Sequence, residues 1–147
     1  MRGYLTMICG PMFAGKTTYL LDGYSHYGGV LLKPSFDTRY SDDEVVSHDN
    51  VRYFANKISS IQDIENLGDN KTYFVDEAQF LSEDRYHGDF VEDVTLFLNN
   101  GANFYICGLD MDWKGNPFPV CGNLLALADR VIKLTAFCGV CGDAASK

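Results

Sequence analysis

Short apolar runs alternate along the chain with more polar segments. Five of the apolar runs predict buried strands, at Tyr4–Cys9, Val30–Lys33, Lys71–Val75, Asn103–Cys107 and Val131–Thr135. Four segments between them predict helices, at Lys16–Tyr27, Ile58–Leu67, Asp89–Asn99 and Leu124–Asp129. Glycine and proline support these boundaries, because Gly28 and Gly101 follow helices and Pro34 follows a strand.

The alternation of strands and helices predicts an α/β fold in which helices cover both faces of a parallel sheet. The polar, acidic stretch Ser35–Ser47 predicts a flexible loop. In parallel sheets, ligands bind beyond the carboxyl ends of the strands. Gly10, Asp76, Asp110 and Cys138 each follow a predicted strand, so we expect the functional site at this edge of the sheet.

A phosphate-binding motif follows the first predicted strand. The pattern G-x-x-x-x-G-K-[ST] is matched by Gly10, Pro11, Met12, Phe13, Ala14, Gly15, Lys16 and Thr17. The glycines allow a tight turn whose N–H groups point at phosphate oxygens, beside the positive end of a helix dipole. Lys16 is predicted to reach the β- and γ-phosphates and Thr17 to coordinate Mg²⁺. The motif predicts a P-loop NTPase (RecA-like) fold, and it leaves open whether the protein is a kinase, an ATPase or a GTPase.

An acidic pair follows the third predicted strand, at Asp76 and Glu77. Successive side chains on an extended backbone point to opposite sides, so we expect these two carboxylates to have different roles. Asp76 is predicted to hold Mg²⁺ through its water shell and Glu77 to accept a proton from the attacking group. That group is water in an ATPase and a substrate hydroxyl in a kinase, and the spacing does not choose between them.

Length, net charge and cysteine content exclude some classes of function. The chain has 147 residues, which fits one domain, and its formal net charge is −8. This charge disfavours general nucleic-acid binding, which needs a basic surface. No apolar run approaches the roughly 20 residues needed to cross a membrane, so no membrane association is expected. The five cysteines are an odd number and, apart from one pair, are scattered, which favours a reducing cytoplasm over a disulfide scaffold.

Further segments extend the pattern over nearly the whole chain. They are Lys33-Pro34, Asp37-Thr38-Arg39-Tyr40, Ser47-His48, Asp76-Glu77-Ala78-Gln79-Phe80, Gly108-Leu109-Asp110 with Trp113 and Pro117-Phe118, and Lys133-Leu134-Thr135-Ala136 with Cys138 and Cys141. Together with the phosphate-binding motif, this series closely resembles the thymidine kinases of the cellular and bacterial type, often called type II.

The resemblance implies roles for these segments. Residues 10–17 bind ATP, and Glu77 is the general base that accepts the proton of the thymidine 5′-hydroxyl. A loop that approaches the phosphates contains Asp37, Thr38 and Arg39, and another nucleotide-contacting segment contains Asp76 and Gln79. The walls of the thymine pocket are formed by Leu109, Trp113 and Phe118, and Phe80 is expected to join them. Such apolar surfaces suit a flat ring that bears a methyl group. Without the resemblance, these four residues could equally be ordinary core.

The sequence departs from the family's usual pattern at three places. Trp113 stands where the family usually has Phe, which makes this wall bulkier. Leu81 replaces a second aromatic residue after Phe80. The pair Cys121-Gly122 is also unusual for its segment.

Cys138 and Cys141 have the C-x-x-C spacing of a zinc knuckle. A structural zinc ion needs four ligands, and the resemblance implies a second Cys/His pair further downstream, beyond a loop that folds over the base. We therefore expect the sequence to be part of a longer protein. Its organisation is predicted as a kinase domain at 1–136 and the start of a zinc-binding subdomain at 137–147. A redox pair is the alternative for these cysteines, as is no special role.

The function expected from motif and resemblance is transfer of the ATP γ-phosphate to thymidine. Deoxyuridine is an expected second substrate. The alternatives are a RecA-like ATPase and a nucleotide-binding module without activity. The resemblance also implies a homotetramer and feedback binding of thymidine triphosphate.

Overall fold

The described part of the chain contains ten strands. They are β1 (Leu5–Cys9), β2 (Val30–Pro34), β3 (Glu44–Val46), β4 (Arg52–Phe54), β5 (Asn56–Ile58), β6 (Thr72–Val75), β7 (Asn103–Gly108), β8 (Arg130–Lys133), β9 (Ala136–Phe137) and β10 (Ala144–Ala145). The computed structural model describes residues 2–11, 14–35, 44–46, 51–68, 72–82, 85–112, 114–137 and 144–145. Six strands form one sheet in the order β5-β2-β6-β7-β1-β8, and every neighbouring pair in it is parallel.

The helices are α1 (Lys16–Tyr27), α2 (Ile61–Glu65), α3 (Phe90–Asn99) and α4 (Pro119–Leu127), with a 3₁₀ turn at Ala78–Phe80. Local sequence explains several of their ends. The side chain of Asp89 caps α3 by accepting hydrogen bonds from two backbone N–H groups of its first turn. Proline occupies the first position of α4, where no N–H is needed. None of the helices within the described ranges is both long and apolar enough to span a bilayer.

The core lies on both faces of the sheet, because alternate residues of a strand point to opposite sides. Leu5 and Met7 of β1 belong to the cluster that also contains Leu98 of α3 and Leu124 of α4. Ile8, the next residue along, belongs to the cluster that contains Leu20 of α1. This arrangement confirms the predicted α/β fold, with helices on both faces of a parallel sheet.

All five predicted strands are present, with ends shifted by one or two residues. The sixth strand, β5, was not predicted, because its three residues include two polar ones and it pairs only at the sheet edge. The prediction of a helix from residue 58 was wrong at its start, since Ile58 ends β5 and α2 begins at Ile61. The prediction of a loop over Ser35–Ser47 was wrong at residues 44–46, which form β3 and pair with β4 as an antiparallel hairpin. Residues 36–43 and Ser47 lie outside the described residues.

The last helix begins earlier than predicted, at Pro119 and not at Leu124. The sequence pattern missed its first turn and a half because this stretch contains Cys121 and Gly122, which do not signal a helix. In the structure, Cys121 is buried in the core cluster between α4 and the sheet.

Candidate active site

Three adjacent strands present the candidate site at their carboxyl ends. Strand β7 lies between β1 and β6, with Gly108 opposite Cys9 and Ile106 opposite Val75. The segments that follow these strands are the phosphate-binding motif, the acidic pair and the stretch that begins at Leu109. The sheet therefore brings together three segments that are distant in sequence.

The phosphate-binding loop begins directly after β1, at a position that only glycine can occupy. Gly10 has φ of 147°, and a Cβ placed there would lie 2.4 Å from the carbonyl oxygen of Leu134, which follows β8. Gly15, the N-cap residue before α1, has φ of 88°, in the left-handed region. Between them, the Ala14 N–H donates to the Pro11 carbonyl oxygen at 3.3 Å.

Lys16 folds back over this loop. Its Nζ donates to the carbonyl oxygen of Pro11 at 2.6 Å, in a partly buried position. The ammonium group thus lies at the mouth of the loop, where the motif predicts that it meets phosphate oxygens.

Asp76, the first residue of the acidic pair, contacts the phosphate-binding loop. Its Oδ1 accepts hydrogen bonds from the Thr17 hydroxyl at 3.1 Å and from the Cys107 thiol at 2.8 Å. The residue is only 6% exposed. Burial, followed by repulsion from Glu77, raises the pKa of Asp76 to about 6. The oxygen atoms of Thr17 and Asp76 therefore lie side by side, and oxygen is the ligand atom that Mg²⁺ prefers.

The sequence pattern places Cys107 at the end of a predicted strand and gives it no role in the site. Its contact with Asp76 depends on the pairing of β7 with β6, which only the structure shows. Burial raises the pKa of this thiol well above its usual value, with the Asp76 charge as the second cause. Cys107 is therefore a neutral hydrogen-bond donor at neutral pH.

Glu77 has an unusual backbone. Its φ of 57° and ψ of 42° lie in the left-handed region, and no other non-glycine residue in the described part of the chain has a positive φ. This conformation turns the chain from β6 into the 3₁₀ turn and leaves the side chain half-buried. Such strain is common at active sites, where the surrounding structure holds it in place.

Gln79 connects this glutamate to the next strand. Its Nε2 donates to Glu77 Oε2 at 2.5 Å, and its Oε1 accepts from the Leu109 N–H at 3.1 Å. The resemblance assigned Gln79 to a nucleotide-contacting segment. Its amide is directed within the protein, to the acidic pair and to the segment predicted to contact the base.

The segment after β7 forms a closed loop anchored by Asp110. The Asp110 carbonyl oxygen accepts the Phe118 N–H at 3.1 Å, and its carboxylate pairs with Lys133 at 3.0 Å. This anchor holds the two ends of the loop together. Among the predicted wall residues, Phe80, Leu109 and Phe118 are half-buried.

Several predicted site residues lie outside the described residues, namely Met12, Phe13, Asp37, Thr38, Arg39, Trp113, Cys138 and Cys141. Within the described ranges, no group of three or more His, Cys, Asp or Glu side chains could hold a metal ion. The thiols of Cys9, Cys107 and Cys121 are unpaired by disulfides and buried, and desolvation raises the pKa of each.

The parallel sheet and the glycine loop leading into α1 define the class, a P-loop NTPase-like α/β protein. A family model described as thymidine kinase matches residues 3–147. The chain therefore belongs to the thymidine kinase family, which confirms the resemblance drawn from the motifs. Membership supports phosphorylation of thymidine as the general reaction.

Proposed function

We propose that this protein transfers the γ-phosphate of ATP to the 5′-hydroxyl of thymidine, giving ADP and thymidine 5′-monophosphate. One observation carries the proposal within this family: the hydrogen bond from Thr17 to Asp76 joins the phosphate loop to the acidic pair. Deoxyuridine is proposed as a second substrate, because it differs from thymidine only by the methyl group.

The phosphate chain of ATP is proposed to lie on the N–H groups of residues 10–17, at the N-terminus of α1. Lys16 would exchange the Pro11 carbonyl oxygen for phosphate oxygens, which are stronger acceptors for an ammonium group. Asp37, Thr38 and Arg39 are proposed to approach the same phosphates, with the guanidinium of Arg39 offsetting transferred charge.

Thr17 and Asp76 are proposed to hold the magnesium ion of the ATP complex, Thr17 directly and Asp76 through water. Their oxygen atoms lie 3.1 Å apart, and both are ligand types that suit this cation. When bound, Mg²⁺ would neutralise the negative charge that develops on the phosphates during transfer.

Glu77 is proposed to orient the 5′-hydroxyl for in-line attack and to accept its proton. The transition state of phosphoryl transfer is loose, so this carboxylate acts mainly by positioning the nucleophile. Glu77 directly follows Asp76 in the chain, so it lies at the same edge of the sheet as the start of the phosphate-binding loop.

The thymine ring is proposed to bind against Phe80, Leu109, Trp113 and Phe118. The Asp110 anchor supports this assignment, since it ties Leu109 and Phe118 to the same loop.

Cys138 and Cys141 are proposed as two ligands of a structural zinc ion. A homotetramer in the cytoplasm, with feedback binding of thymidine triphosphate, completes the proposal.

ADP release in the presence of ATP and Mg²⁺, with and without thymidine, tests the proposed function. Release that requires thymidine is the expected result. Equal release in both reactions would instead indicate an ATPase in which Glu77 activates water. Absence of release in both, with ATP bound, would indicate a nucleotide-binding module.

A further inference from the structure

The side-chain amide of Gln79 spans the gap between the acidic pair and the proposed thymine pocket. It donates to Glu77 Oε2 at 2.5 Å and accepts from the Leu109 N–H at 3.1 Å. The Leu109 N–H fixes the orientation of the amide, because a backbone N–H only donates, so the amide oxygen faces Leu109 and the NH₂ group faces Glu77. The flipped amide would lose both hydrogen bonds.

The surroundings hold this amide in place. Gln79 is 4% exposed and belongs to the 3₁₀ turn that follows Glu77. The turn packs closely on Gly108 at the end of β7, where an added Cβ would lie 2.9 Å from Gln79 Oε1. The absence of a side chain at Gly108 therefore makes room for the Gln79 amide.

We propose that Gln79 is a positioning residue, which holds the Glu77 carboxylate in the orientation needed to receive the substrate proton. The inference rests on the proposed kinase reaction. Glu77 is half-buried, and a hydrogen bond to a charged group restricts the rotation of its side chain more strongly than a neutral one would. The second hydrogen bond, to Leu109, ties this orientation to the segment that contacts the base.

Two substitutions distinguish the effects of the hydrogen bonds that Gln79 makes with Glu77 and Leu109. Gln79→Met has a similar volume and can form neither bond. Gln79→Glu keeps an acceptor for the Leu109 N–H, loses the amide donor to Glu77 and adds a second carboxyl group beside it. We expect both variants to lose about 10- to 100-fold in kcat, the range for a lost hydrogen bond to a charged group. The KM for thymidine should rise more in Gln79→Met, and the Kd for ATP, measured by equilibrium binding, should change less than about twofold.

The decisive measurement places Gln79→Met in a Glu77→Ala background. Residual transfer from radiolabelled ATP is followed in single-turnover reactions with excess enzyme. Because Gln79 acts through Glu77, its loss should have no further effect once Glu77 is absent. If Gln79→Met does not fold, Gln79→Glu, which has the same size, serves in both backgrounds.

Three results would overturn the inference: an unchanged kcat, a loss of ATP affinity that matches the loss of rate, or the same rate loss in the Glu77→Ala background. The second would make Gln79 a phosphate ligand, and the third would make its role purely structural. Wild-type ADP release that does not depend on thymidine would reject the proposed function itself, and this is measured before any Gln79 variant.

Discussion

Replacing Asp76 by Asn is expected to stabilise the ligand-free protein while abolishing the magnesium-dependent reaction. Burial and the charge of Glu77 raise the pKa of Asp76 from 3.8 to about 6. At neutral pH the ionised carboxylate therefore costs folding free energy, about 1.4 kcal/mol for each pKa unit and about 3 kcal/mol in all. The Asn Oδ1 can still accept from Thr17 and Cys107, so the substitution removes the charge and keeps both hydrogen bonds.

Thermal unfolding in EDTA without nucleotide measures this effect. For a domain of this size, 1 kcal/mol corresponds to about 2–4 °C, so Asp76→Asn should melt about 6–12 °C above the wild type at pH 7.5. The folded-state pKa lies above the unfolded-state value. The wild type therefore gains stability relative to the variant as the pH falls from about 6 to about 4, and the difference in melting temperature should shrink over that range.

Asp129→Asn is the matched control with the opposite sign. Hydrogen bonds from the Arg2 side chain and from the Leu5 N–H lower the pKa of Asp129. Its carboxylate stabilises the protein above the unfolded-state pKa, and this contribution is lost as the pH falls through the lowered folded-state pKa. A lower melting temperature for Asp76→Asn at pH 7.5, or a difference that does not change between pH 4 and pH 8, would refute the reasoning.

Substitutions at three further positions test the close approach at the phosphate-binding loop, the last helix and the anchor of the base segment. Gly10→Ala would place Cβ 2.4 Å from the Leu134 carbonyl oxygen, so we expect a lower melting temperature and weaker ATP binding, and an unchanged Kd for ATP would contradict this. Gly122→Ala adds a methyl group in open space within α4 and should raise the free energy of unfolding in urea by about 0.5–1 kcal/mol; a decrease would contradict the described helix. Lys133→Met leaves the Asp110 carboxylate, which is 8% exposed, without its ion pair, so the KM for thymidine should rise several-fold while Lys133→Arg stays near wild type. Equal KM values for these last two variants would show that the anchor does not position the base segment.

The sequence was sufficient to predict the inner strands β1, β6 and β7 because they are largely buried on both faces and are therefore mostly apolar. The same reasoning failed for β5, whose pairing depends on a neighbour at the sheet edge and not on its own three residues. It also failed for the start of α4. There, proline at the first helical position was a usable signal, and the following Cys121 and Gly122 obscured it.

The site was predictable where a motif fixes local backbone geometry. Gly10, Lys16 and Thr17 follow from such a motif, and their positions depend on residues close in sequence. The contacts of Asp76 with Cys107, and of Gln79 with Leu109, join residues about 30 positions apart. These contacts form only when β6 and β7 pair, so no local pattern in the sequence predicts them.

The most direct test of the central proposal follows the fate of the phosphate itself. ATP labelled in its γ-phosphate is incubated with the protein, Mg²⁺ and thymidine, and the labelled products are separated and quantified. The proposed kinase reaction predicts label in thymidine 5′-monophosphate, with transfer reduced at least about 100-fold in Glu77→Gln while ATP binding is retained. Label that appears only as inorganic phosphate, or transfer to thymidine that is unchanged in Glu77→Gln, would contradict the account.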